Sequence, residues 1–214
     1  MQDRRPSSAG TVTAPTSAVA PRWLLLTGAV GFVVAFFAAT SAINGLASSS
    51  LPLPDDPASA VRDWYADNPT AAVVAGLLQL VSVTLLAGFV RLVGRGWAWG
   101  YAAVAAMVAC VATTWGLAAV AADASLDTVG LLRDLNFALG GTLHVAALGG
   151  FVWLAARHPA AGRRLRTLAW VALVPSVASL ASLVVLEAAP LILLGRLLCM
   201  VWLVSAAVGL SRSR

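Results

Sequence analysis

Of 214 residues, 60% are apolar and only 11% are charged, and the mean hydropathy is +0.87, far from the values of a water-soluble domain. This composition excludes intrinsic disorder, and two cysteines, Cys110 and Cys199, both inside apolar runs, exclude a disulfide scaffold. The net charge of +5 does not point to nucleic acid, because the basic residues are spread over segments flanking apolar runs and are not gathered on one folded face.

In chain order, six apolar stretches approach the length of a membrane crossing. A hydrocarbon core of about 30 Å and a helical rise of about 1.5 Å per residue require roughly 20 residues for each. The stretches cover about residues 23–43, 71–89, 101–122, 135–155, 168–186 and 191–210. They predict an all-α polytopic membrane bundle of six transmembrane helices, one domain over residues 21–211, with connections too short for a separate soluble core. Residues 1–20, rich in Ser, Thr, Pro and Ala, read as a disordered cytoplasmic tail. The first stretch is longer than the apolar region of a signal peptide and reads as an uncleaved span.

Between the first two spans, Asp56 and Pro57 predict the N-cap and first residue of a short helix. Ala58, Val61, Trp64 and Tyr65 share one side of it, and Arg62, Asp63 and Asp67 the other. That pattern suits a short interfacial helix, a connector in preference to a lid. The fourth span can begin as early as Ser125, and residues 187–190 make spans five and six a tight antiparallel hairpin. Pro175 is expected to bend span five.

Charge sets the orientation. Eleven arginines and one acid, Asp3, fall in the two tails and the second and fourth connections, whereas eight acids and two arginines occupy the first, third and fifth. The positive-inside tendency then places both termini in the cytoplasm and makes anionic lipid headgroups the expected partners on that face. Trp23, Trp97, Trp99, Trp153 and Trp170 fall near the same helix ends and read as interfacial anchors.

Polar residues inside the spans need partners. Arg196 lies within the sixth span, where an arginine at helix centre costs about 2.5–3.5 kcal/mol on insertion scales. Glu187 is the nearest acid in the chain, and Asp134 the alternative. In span four, Arg133, Asn136, Gly140 and His144 follow at intervals of three, four and four, one helical stripe that should face protein. His144 is either a proton relay or a hydrogen-bonded packing residue. The candidate intramembrane cluster is therefore Arg133, Asp134, Asn136, His144, Glu187 and Arg196, read either as an ion pair that fixes helix packing or as a substrate or proton site. No catalytic, cofactor-binding or metal-binding residue is expected. The chain has no nucleophile and base pair, only His144 and His158 as imidazoles, and no lysine for a Schiff base.

The segment DWYADNPTAAVVAGLLQL, the fourth span LLRDLNFALGGTLHVAALGGFVWLAAR, the basic turn RHPAAGRRLR and the last span LILLGRLLCMVWLVSAAVG, taken in order over about residues 23–210, resemble a family of uncharacterised six-span bacterial membrane proteins. The Ala-rich, lysine-free composition is similar to that of actinobacterial proteins. The resemblance implies architecture and a multi-pass position in a bacterial plasma membrane, and carries no activity or site residue. The expected function is a non-enzymatic structural or accessory membrane component, acting through a membrane-protein partner or a second copy. The alternative is a small proton-linked transporter or channel using the outer-half cluster.

Overall fold

The computed structural model describes residues 22–159 and 161–212, so the tail expected at residues 1–20 lies outside the described residues. Among these residues the ordered elements are all helical. They are α1 (Arg22–Leu46), α2 (Ala58–Asp67), α3 (Pro69–Val93), α4 (Trp97–Val120), α5 (Leu126–Asn136), α6 (His144–Ala155), α7 (Arg163–Ala178) and α8 (Pro190–Arg212). A π-helical segment, Phe137–Leu143, joins α5 to α6, and two short 3-10 turns, Ser179–Leu183 and Leu186–Ala188, join α7 to α8. Six helical stretches among the described residues are long and apolar enough to cross a membrane, as the sequence predicts.

The boundaries shift for local reasons. The fourth stretch runs continuously over Leu126–Ala155, starting nine residues before the expected position 135. Ser125 caps it, its hydroxyl accepting from the Thr128 amide at 3.3 Å. Thirty residues at about 1.5 Å each give about 45 Å, longer than a bilayer core of about 30 Å, so one end stands clear of the hydrocarbon. In the fifth stretch, the α-helical part is 16 residues, about 24 Å. The five-residue 3-10 turn that follows rises about 2.0 Å per residue and makes up the crossing length. Between α3 and α4 the chain reverses through Gly94 and Gly96, whose φ angles of 72° and 69° lie where side-chain-bearing residues are strained.

Neighbouring spans pack as a closed ring, α1 on α3, α3 on α4, α4 on α6, α6 on α7, α7 on α8, and α8 back on α1. One end of the ring carries the arginine-rich connections and the other the acidic ones, and these charges name the ends below. The main core fills the arginine half. There Phe151 meets Phe89 and Trp202 edge-on, with ring centroids 6.3 and 6.4 Å apart. Small polar groups close gaps between helices: Ser82 Oγ donates to the Phe32 carbonyl at 2.9 Å, and the Thr142 and Ser182 hydroxyls meet at 3.0 Å. At the arginine end Trp23, Trp97, Trp99 and Trp170 are exposed, Trp170 lies against Trp153 with centroids 3.9 Å apart, and the Arg157 guanidinium sits 4.7 Å above the Trp153 ring.

Candidate functional site

In the acidic half a second, smaller core gathers under α2, where Val61, Trp64 and Tyr65 are buried against Ala72, Leu117, Ala121 and Val129. The short helix expected between spans one and two is thus present, and its apolar side is the buried one. Its apolar face packs on protein and roofs the ring, because the long fourth span rises far enough to give that face a wall. The cap position is corrected. Pro57 occupies it, and the Asp56 carboxylate turns back to accept from the Leu53 amide at 2.7 Å. Asn68, itself buried, clamps the start of the connection between α1 and α3 to its end. Its side-chain oxygen accepts from the Ser48 amide at 2.7 Å and the Ser48 hydroxyl at 3.0 Å, and its nitrogen donates to the Trp64 carbonyl at 2.9 Å. The Trp64 indole donates to the Ser49 carbonyl at 3.1 Å.

The stripe expected along span four does face protein. Arg133 Nη1 donates to the Asp56 carbonyl at 2.6 Å and its Nε to Asp134 at 2.9 Å, so this arginine ties α5 to the cap. The Asn136 side-chain nitrogen lies 3.0 Å from the Cys110 carbonyl and 3.0 and 2.7 Å from the Thr113 and Thr114 hydroxyls of α4. A Cβ at Gly140 would overlap Cys110 Sγ, so only glycine lets α4 approach here. His144 is fully buried, with Nδ1 2.9 Å from the Ala103 carbonyl and Nε2 without a partner.

Arg196 departs from expectation. Neither Glu187 nor Asp134 lies within ion-pair distance of it. Among the described residues the ion pairs are Arg62 with Asp63 at 3.3 Å and Arg133 with Asp134 at 2.9 Å, and Glu187 is exposed. Instead the Arg196 guanidinium donates through Nη2 to the Gly140 carbonyl and lies 4.9 Å above the Phe36 ring, while its Nε is buried without a partner. The reason lies in the backbone. The π-helical segment around Gly140 and Gly141 widens the turn, and the Gly140 carbonyl then serves as acceptor where the sequence suggested an acid.

Arg133, Asn136, Gly140 and Arg196 border a half-open cavity of about 460 Å³. Phe36 and Ile43 of α1, the segment 51–54, the buried face of α2, and residues of α3, α4, the π-helical segment and α8 form its walls. Among the described residues, its charged lining residues are Arg133 and Arg196, and no carboxylate borders it. The cavity therefore brings together Arg133, Asn136 and Arg196 of the expected cluster, and His144, Asp134 and Glu187 are not among its lining residues. It also recruits Trp64, Tyr65 and Cys110, which sequence patterning marked only as apolar. No signal in the sequence distinguishes an apolar face turned to lipid from one turned to a cavity. Tyr65 lies outside the spans, and burial pushes its phenol up to about 12, with nearby Cys110 acting the same way and the Thr114 hydroxyl opposing.

Compared with known proteins, the chain matches no protein family, no curated protein and no solved structure.

Proposed function

We propose that this is a non-catalytic, multi-pass protein of a bacterial plasma membrane, of the actinobacterial six-span type, with both termini in the cytoplasm and the capped cavity as its working part. It acts as an accessory component that holds a small ligand beneath α2. The observation that carries the reading is Arg196, a guanidinium within a span that borders a cavity and has no acid beside it among the described residues. Such a group is costly in a bilayer and is retained where it recognises something. The cavity falls within the range of about 300–1,000 Å³ usual for ligand pockets. Anionic lipid headgroups at the arginine end remain the expected surroundings of Arg157, Arg163, Arg164 and Arg166, and a membrane-protein partner or second copy is expected on the lipid-facing sides. Proton-linked transport gains less support, since His144 does not border the cavity and has no titratable residue among its hydrogen-bond partners.

Cys110 lines the cavity, whereas Cys199 is buried in the main core, which gives a direct test. In a Cys199→Ser protein in proteoliposomes, a small mercurial, which takes protonated thiols as well as thiolates, is expected to modify Cys110, and an imposed pH gradient is expected to decay no faster than in empty vesicles. An unreactive Cys110 overturns the ligand-binding reading. Accelerated decay that disappears in His144→Ala establishes the transporter.

A further inference from the structure

We infer that the ligand is a single-chain anionic amphiphile, with its carboxylate or phosphate head on Arg196 and its hydrocarbon chain along the apolar wall under α2. The inference rests on the cavity being the working part, as proposed above, and adds the chemical class of what fills it.

The head is assigned from the state of the two lining arginines. Arg133 is committed, with Nε on Asp134 and Nη1 on the Asp56 carbonyl. Arg196 makes a single hydrogen bond, to Gly140, out of the five N–H groups a guanidinium carries, and its Nε is buried and idle. A carboxylate or phosphate matches that planar fork with two parallel bonds and supplies the missing counter-charge. A cation would meet two positive side chains and no carboxylate. A neutral apolar molecule would leave the guanidinium desolvated and unpaired.

The chain is assigned from the walls. Ile43, Val61, Ala72, Val111 and Leu117 offer hydrocarbon contact between Arg196 and the roof. A volume of about 460 Å³ is that of one drug-sized molecule, which favours one chain over two. Access is consistent with an amphiphile. Arg196 lies six residues after Pro190, about 9 Å along α8 from its acidic end, so an anion need not cross the hydrocarbon core to reach it.

The test uses the reactivity of Cys110 in the full-length Cys199→Ser protein, in vesicles of zwitterionic lipid. Dodecyl phosphate and laurate, added below micelle formation, are expected to slow modification of Cys110 by about tenfold or more, the scale of a charge-assisted contact. Dodecanol, dodecyltrimethylammonium and inorganic phosphate are expected to leave the rate unchanged. Arg196→Gln is expected to abolish protection while Cys110 stays reactive. Should that variant fail to fold, Ala75→Phe keeps Arg196 and fills the apolar wall, and it too is expected to lose protection. Equal protection by dodecanol overturns the charged-head assignment, and protection by inorganic phosphate overturns the amphiphile in favour of a soluble anion. Protection that survives in the variant examined also overturns the proposal. If Cys110 reacts but no compound protects it, this inference fails and the cavity reading stands. If Cys110 is inert throughout, both fail together.

Discussion

Arg133 Nη1 donates to the backbone carbonyl of Asp56 at 2.6 Å, so the fourth span grips the chain one residue ahead of the cap position of α2. The same side chain pairs with Asp134, and together these bonds hold the roof of the cavity to its tallest wall. Arg133→Gln is expected to speed modification of Cys110 about three- to tenfold, the equivalent of roughly 0.5–1.5 kcal/mol lost from the closed roof. An unaltered rate would show that Asn68, the Trp64 indole bond and the buried face of α2 keep the roof in place without Arg133.

Tyr65 reports on the same closure. The folded state favours the neutral phenol, whose pKa is pushed from the usual 10 to about 12 by burial. Stability from this group is therefore intact below about pH 10 and is lost as pH rises toward 12. The chain has two tyrosines, so in Tyr101→Phe the phenolate absorbance belongs to Tyr65 alone. Its midpoint is expected near 12, and adding Arg133→Gln is expected to move it back toward 10. A midpoint near 10 in Tyr101→Phe itself would mean that the phenol is not sealed under the roof.

Gly140→Ala places a methyl group on the Cys110 sulfur. A loss of about 1–3 kcal/mol is expected from thermal or denaturant unfolding in mild detergent. Because the clash is with one neighbour, Cys110→Ala in the same chain is expected to recover part of it. The two substitutions should then depart from additivity by about 0.5 kcal/mol or more. Strict additivity would place the cost in the helix backbone.

His144 is fully buried, with one ring nitrogen on the Ala103 carbonyl. His144→Ala is expected to lower stability by about 2–4 kcal/mol through lost packing and a lost hydrogen bond. Modification of Cys110 and the decay of a pH gradient should stay as in the unmodified chain. A variant that folds normally but changes proton leakage would return His144 to a relay role.

The number of spans was legible from apolar run length, since a bilayer thickness converts directly into residue count. So was the inward stripe of Arg133, Asn136, Gly140 and His144, because its spacing holds one helical face. The start of the fourth span was less so. Residues 126–134 mix charged and apolar side chains, and hydropathy alone does not say that a helix continues beyond the membrane. The partner of Arg196 was not legible at all. An acid can be found by scanning side chains, but a backbone carbonyl is present at every residue, and that of Gly140 becomes the acceptor only through a widened turn. For α2, the apolar side was readable, but whether lipid or protein covers it depends on the height of a neighbouring helix.

The bond between Arg196 and Gly140 has an evolutionary corollary. An arginine neutralised by a carboxylate drifts together with that acid, and the two positions change as a pair. Here the acceptor belongs to the main chain, which no codon change can delete, so the selective burden falls on the small residues that keep the turn wide and the sulfur close. Lineages descended from this gene are expected to hold the arginine and the two adjacent glycines while exposed acids away from the cavity, such as Asp123 and Asp127, diverge freely.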